Sequence, residues 1–412
     1  MRTPWHTDQW FVSPWNYLPE VVQSFQFPSR IQIHDLTLRD GEQTSGVCFR
    51  KAEKVRIAGQ LAELGVHRIE AGTPAVSPDD EAAVREICRL KLGPKIFALA
   101  RCLVEDVNRA VDCGVDGLIV EIPCSEHLIK NAYKWPLERA IEMSVAATRA
   151  AKEAGVYVVF FPIDSTRTEI GWYLNLIEQV AKEGAMDALA LVDTTGSLSP
   201  HAVPLMVQRA KERIKKPLEC HFHADFGFGV INTINALAAG CEVAHLTFAG
   251  LGERAGNGSL EETVVALRTL YGIDVGIQYN LLTETNRLVR ELSGIETPRN
   301  KAVVGDELFD IESGIVSDWY RNCGPENVLE VFPYHWDLVG QDAPKVVMGK
   351  KSGAASVRIW LEEMGLSAEE DEVRAILARV KERAISKKGL LDKDEFRFIA
   401  ETILGRKPVA TS

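Results

Sequence analysis

The sequence predicts a (β/α)8 TIM barrel with a small, mostly helical C-terminal subdomain, and three observations point to the barrel. Short β-branched apolar runs alternate with longer amphipathic segments between residues 30 and 275. Eight such alternations occupy about 250 residues, the usual size of this barrel. Polar residues gather directly after the runs around the whole series, as the C-terminal face of a barrel requires. An open, doubly wound sheet is the competing architecture. Neither a Walker motif nor GxGxxG follows the first run, which weighs against a nucleotide-binding sheet of that kind.

In chain order the expected strands are Ile31–Leu36, Val66–Ala71, Lys95–Arg101, Val115–Ile122, Val156–Pro162, Ala188–Asp193, Leu218–His223 and Ala244–Ala249. Each is an apolar run of the length and residue type that suits a strand buried on both faces. Helical segments intervene, among them Lys51–Leu64, Asp79–Leu90, Glu138–Ala154, Leu174–Glu183 and Pro200–Arg213. Ahead of the barrel, residues 1–28 carry Trp5, Trp10, Phe11, Trp15, Tyr17, Phe25 and Phe27. So many aromatic side chains are expected to pack, on the parent domain or on a partner subunit. The expected organisation is an aromatic extension over 1–28, the catalytic barrel over 29–278, and the helical subdomain over 279–412. In that last region, helices are expected near Ala354–Met364 and Ala368–Ser386.

Composition bounds the function. The net charge of −11 argues against a general nucleic-acid surface, so an anionic substrate must be met by local Arg or Lys. The eight cysteines form no CxxC pair and suit buried small side chains in a reducing compartment. No signal core opens the chain and no run is long enough to span a bilayer, so a cytoplasmic protein without a membrane partner is expected.

Two segments carry chemistry: His34-Asp-Leu-Thr-Leu-Arg-Asp-Gly-Glu-Gln43 and His221-Phe-His223. His221 and His223, at i and i+2 on a strand, point to the same side. Asp40, reaching the same point from another strand end, would complete most of a divalent-metal site with positions open to substrate. Arg39 would then place a guanidinium beside the metal, where an oxyanion is held by both.

Five motifs, each after an expected strand, resemble the DRE-TIM metallolyase superfamily. They are Leu38-Arg-Asp-Gly-Glu-Gln43, Ile69-Glu-Ala-Gly-Thr-Pro74, Asp193-Thr-Thr-Gly196, His221-Phe-His-Ala-Asp225 and Gly250-Leu-Gly-Glu-Arg-Ala-Gly-Asn257. Within that superfamily the chain is similar to the Claisen-condensing branch of isopropylmalate, homocitrate and citramalate synthases. The resemblance implies one divalent ion per subunit (Mg, Mn or Zn), held by Asp40, His221 and His223, with Asn257 a further ligand. It implies that Arg39 stabilises the developing oxyanion and that Thr194 holds the carboxylate of a 2-oxo acid. His127 and Arg167 would line the same pocket, with Gln43 and Glu70 in or just behind its wall. Glu253, placed with Arg39 among the catalytic candidates, would brace the loop before Asn257 together with Arg254. The family's intertwined dimers imply a homodimer or higher even oligomer, with Asp310–Asp318 near the neighbouring subunit's metal.

The departures from the branch matter equally. Its Ser-x-Glu after the fifth strand is here Phe161 and Ile163, which makes the wall more apolar and narrower. Its catalytic histidine, in a segment like Ser-Gly-Ile-His, is replaced in Glu312-Ser-Gly-Ile-Val316, and Gly-Lys-His-Ser-Gly has become Gly349-Lys-Lys351-Ser-Gly353. Asp310, Glu312, Asp318 and Lys351 are the candidates for the missing acid–base group. The leading expectation is an acyltransferase that joins an acyl-CoA, foremost acetyl-CoA, to a 2-oxo acid and yields a 2-hydroxy dicarboxylate. The alternatives are a retro-reaction like that of hydroxymethylglutaryl-CoA lyase, or a regulatory homologue that kept the metal set. The lyases use a cysteine in the glycine-rich loop after the eighth strand, and Gly250–Asn257 has none.

Overall fold

The structure, a computed structural model, describes residues 3–405. Eight parallel strands close into a barrel in sequence order: β1 (Gln32–Asp35), β2 (Arg68–Glu70), β3 (Lys95–Arg101), β4 (Gly117–Pro123), β5 (Tyr157–Ile163), β6 (Ala188–Asp193), β7 (Leu218–Phe222) and β8 (Val243–Leu246). The β1–β8 pairing, His34 opposite His245 and Asp35 opposite Leu246, closes the ring. This is the TIM barrel expected from the alternation. Several strands are shorter than their apolar runs, and residues such as Ile31, Leu36 and Val66 are buried while lying outside the strand bounds.

The helices around the barrel are α1 (Lys51–Leu64), α2 (Pro78–Leu90), α3 (Val104–Asp112), α4 (Leu137–Glu153), α5 (Ile170–Glu183), α6 (Val203–Arg213), α7 (Gly229–Ala238) and α8 (Leu260–Leu270). Local sequence explains their ends. The Ser77 hydroxyl accepts from the Asp80 N–H and Pro78 follows at the first helical position, which starts α2. Gly65, at φ +90°, ends α1 with its N–H on the carbonyls of Leu61 and Ala62. The faces these helices bury follow helical spacing, as Ile57, Ala58, Leu61 and Leu64 do in α1.

The chain divides into two compact units, Pro14–Thr297 and Met1–Ser13 with Pro298–Ser412. The helix Leu282–Ser293 therefore belongs with the barrel, where Gln60 of α1 donates to the Thr285 hydroxyl at 3.2 Å. Phe25 and Phe27 pack edge-on against Tyr271, and the Tyr17 hydroxyl donates to the Thr269 carbonyl at 2.7 Å. That part of the aromatic extension thus packs on its own barrel, around the end of α8. Residues before Pro14 belong to the other unit, where the Phe11 N–H donates to the Pro333 carbonyl.

In that second unit, helices Gly314–Cys323, Ala354–Glu363, Glu370–Lys387 and Lys393–Ile403 surround a core of Met348, Val357, Trp360, Ile376, Val380 and Phe396. The two segments that depart from the synthase motifs meet there. The Gly314 N–H donates to the Lys351 carbonyl, and the Glu312 carboxylate accepts from the Lys351 N–H at 3.0 Å. Gly314 and Gly353 pack backbone to backbone, an approach that a Cβ on either would block.

Candidate metal centre and substrate pocket

The turn after β1 presents Arg39 and Asp40 at the C-terminal mouth of the barrel. It is pinned from beneath by Lys54 of α1, whose buried ammonium pairs with Glu42 and Asp80 at 2.6 Å each and reaches the Leu38 carbonyl at 3.3 Å. The sequence reading did not single out Lys54, because its partners are distant in the chain.

Asp40 meets the two histidines as the strand geometry predicted. Its Oδ2 lies 3.5 Å from His221 Nε2 and 4.0 Å from His223 Nε2, and all three residues are buried. These separations are long for hydrogen bonds and suit donors converging on one cation. Among the described residues the Nδ1 atoms of both histidines have no hydrogen-bond partner. Asn257 joins the set by donating from Nδ2 to Asp40 Oδ1 at 2.9 Å, while its own Oδ1 is buried without a hydrogen-bond partner among the described residues. Gly252 closes over this point. A Cβ there would collide with the Asn257 amide and approach Asp40, so the glycine-rich loop is needed for close backbone approach.

The charge states fit a cation. Burial alone would raise the Asp40 carboxyl, but Arg39 and then the two histidines hold it well below the usual range. Burial pushes both imidazoles down, so they are neutral at neutral pH, the form in which an imidazole can ligate a cation. A second group, His34, Glu219 and His245, lies inside the barrel. There Glu219 already pairs with Arg68 at 2.8 Å and with His245 at 2.7 Å.

Arg39 is the hub of the mouth. Nε and Nη2 form a fork on Glu70 at 2.8 and 3.2 Å, and Nη1 donates to Asp40 at 2.8 Å and to Gln43 at 3.3 Å. A guanidinium has five N–H donors, so four are engaged and one remains for a ligand. Phe161 packs edge-on against His221, with ring centroids 5.0 Å apart, and its ring lies 6.0 Å from the Arg39 guanidinium carbon. Ile163 continues this apolar wall at the end of β5.

His127, Arg167 and Thr194 converge on a residue that the sequence reading missed. Asp164, buried and left-handed at φ +63°, accepts from Arg167 at 2.7 and 3.1 Å, from the Ser125 hydroxyl at 2.7 Å, and lies 3.1 Å from His127 Nε2. Its N–H donates to the Thr194 hydroxyl at 2.8 Å. The signal was the polar run that ends β5, Asp164-Ser-Thr-Arg167. Glu253 is not drawn into the metal group. Its carboxylate is exposed and sits 3.5 Å from Arg254, which forks onto Asp225 and reaches the Thr194 carbonyl.

Glu121 was also missed. It stands two residues after Ile119, which faces the barrel interior with Phe97, Leu99 and Phe161, so Glu121 faces inward at the mouth. It is in register with Phe161 on β5 and Arg101 on β3. Burial pushes its carboxyl up to about 7, against the pull of Arg39 and with the repulsion of Glu70 and Asp40. A lone acid in the apolar strand Gly-Leu-Ile-Val-Glu-Ile-Pro was the signal.

A barrel with a carboxylate, two neutral imidazoles and a clamped arginine at its C-terminal mouth defines an enzyme of the DRE-TIM class. The chain belongs to the HMGL-like family, whose model matches residues 30–289. It is 37% identical over 391 residues to a homocitrate synthase of Methanothermobacter thermautotrophicus, covering 95% of this chain and 97% of the relative. It is 39% identical over 382 residues to a probable 2-isopropylmalate synthase of Ignicoccus hospitalis, covering 92% and 93%. These relatives place the chain on the synthase branch that its motifs indicated. Among solved structures, the HMG-CoA lyase of Bacillus subtilis superposes with a TM-score of 0.60 at 21% identity, over 66% of this chain and 96% of the lyase, a likeness of fold.

Proposed function

We propose that the protein is a metal-dependent acyltransferase that joins an acyl-CoA, acetyl-CoA foremost, to a 2-oxo acid. The observation that carries this is the cluster Asp40–His221–His223 with Arg39 held against it. The synthase relatives, matched along nearly their whole length, support the same reading. A divalent cation held by Asp40, His221 and His223, with the free Oδ1 of Asn257 beside them, would supply Lewis-acid polarisation of the keto group.

The remaining work falls to this chain's own groups. Arg39 keeps one N–H for the oxygen on which charge develops, and its fork on Glu70 fixes that donor's direction. The Asp164 cluster holds Thr194, His127 and Arg167 in place for the carboxylate end of the 2-oxo acid. Phe161 and Ile163 bound its side chain on the β5 side. The eight cysteines are all free, which supports a cytoplasmic setting. The lyase reading has no comparable support, since its cysteine is lacking in Gly250–Asn257.

The test is thiol release when metal-loaded protein is mixed with acetyl-CoA and a panel of 2-oxo acids. Release that depends on both the metal and a 2-oxo acid is expected. No release with any 2-oxo acid, together with cleavage of a preformed 2-hydroxy acyl-CoA adduct, would favour the lyase.

Assembly is part of the proposal. The segment Asp310–Asp318 carries acids where the branch has its histidine region, and we expect it to serve a neighbouring subunit in a homodimer or higher even oligomer. Light scattering at micromolar concentration is expected to give an even multiple of the 45.6 kDa chain mass. A fully active monomer would rule this out.

A further inference from the structure

The acyl-transfer reading leaves the side chain of the 2-oxo acid unspecified, and outside the Asp40 cluster the barrel mouth presents a carboxyl, that of Glu121, which the proposed reaction has not yet used. Glu121 faces inward from β4 beside Phe161, with Ile163 one pleat further along β5. Charged groups reach it from three sides: Arg39 and Asp40 from the turn after β1, Glu70 from β2 and Arg101 from β3. Each positive group among them is already committed. Arg39 forks onto Glu70 and Asp40, and Arg101 pairs with Asp106 at 2.5 and 3.1 Å. Nearby, Arg167 is forked onto Asp164. The Glu121 carboxyl makes no hydrogen bond or ion pair of its own among the described residues.

We propose that Glu121 reads the side chain of the 2-oxo acid, and that this side chain is short, uncharged and carries a hydrogen-bond donor on C3 or C4, as in the hydroxy-2-oxo acid class. The inference rests on the acyltransferase reading of the same site. Three features lead to it. An inward carboxyl set beside Phe161 and Ile163 must find a donor when water is displaced, or be left unpaired. A purely alkyl side chain on the substrate would leave it so. A distal carboxylate would meet Glu121, Glu70 and Asp40 with no uncommitted cation to receive it. A hydroxyl satisfies the carboxyl in either protonation state, because an oxygen acceptor is present in both. Phe161 and the partly buried Ile163 limit length and keep the rest of the side chain apolar.

A matched pair of probes tests this. 3-Hydroxypyruvate and 2-oxobutanoate differ by a hydroxyl in place of a methyl and are nearly the same size. The wild-type protein is expected to prefer the hydroxylated acid in kcat/KM by about tenfold or more, since a site built to hydrogen-bond a hydroxyl discriminates strongly against its absence. Glu121→Leu is expected to abolish or invert the preference, and Glu121→Gln, which keeps an acceptor oxygen, to retain most of it. Both variants should keep the wild-type metal content, which guards against a folding artefact. Binding of the same two acids to metal-loaded protein without acyl-CoA reads the ratio independently of turnover. A binding preference that Glu121→Leu removes, in a protein that releases no thiol, would overturn acyl transfer while supporting this role for Glu121. Equal preference for the two acids in the wild type, or the same ratio in wild type and Glu121→Leu, would overturn the role whether or not thiol is released.

Discussion

Asp40→Ala and His221→Ala are each expected to lose the bound divalent ion and all measurable turnover while the barrel stays folded. The set offers three buried candidate ligands whose donor atoms lie within 4.8 Å of one another, the number typical of a catalytic site with open positions. Removing one leaves too few donors to hold the ion against dilution. Loss of a supporting group outside the ligand set already costs 10–100-fold in affinity, and loss of a ligand costs more. Folding survives for a structural reason. The Arg39 fork on Glu70 does not pass through Asp40, and the β6–β7 and β7–β8 pairing of His221 is made by its backbone. His221→Ala also removes the ring packed against Phe161, so some loss of stability is expected from the cavity it leaves. Metal analysis of the purified variants, with circular dichroism to confirm the fold, is the measurement. Full stoichiometric metal in His221→Ala would sink the assignment. Metal retained by both variants would direct attention to His34, Glu219 and His245.

The barrel was legible because parallel strands buried on both faces read as near-continuous apolar runs, and β3 and β6 match their runs residue for residue. The clustering of Asp40 with His221 and His223 was legible for the same kind of reason. Alternation along β7 and beyond puts His221 and His223 on one side, and few residue types beside Asp40 make that combination useful. The pocket's support was not legible. Asp164 organises Ser125, His127, Arg167 and Thr194 only because its backbone turns left-handed after β5, a conformation that its neighbours in sequence do not dictate. Lys54 holds the Arg39–Asp40 turn through contacts 12 to 26 residues away, which no local pattern encodes. Glu121 carried a signal, an acid within an apolar strand, but only the register with Phe161 shows that it faces the site. Glu253 was expected to brace the loop before Asn257 together with Arg254, and its exposed carboxylate lies 3.5 Å from that guanidinium, outside the Asp40 cluster.

Arg39→Lys is expected to lower turnover by at least about a hundredfold with metal content unchanged, a loss in line with removing one oxyanion donor. The substitution keeps a positive charge and discards the planar fork. In the wild type the fork spends Nε and Nη2 on Glu70 and Nη1 on Asp40 and Gln43, which directs the remaining N–H. An ammonium group has three donors on a single atom. It cannot bridge both Glu70 oxygens, pair with Asp40 and still offer a fixed donor to a reacting oxygen. Glu70, fully buried and already pushed up by burial, would lose half of its fork, and a moderate drop in stability should accompany the loss of turnover. Asp40 keeps its histidines and Asn257, so the metal stays. The decisive readout is the pair of numbers taken together, turnover and metal per chain. Near-normal turnover with metal retained would show that Arg39 serves only to pair Glu70 with Asp40. A fall in both would make it a support for the metal site, with no separate part in the chemistry.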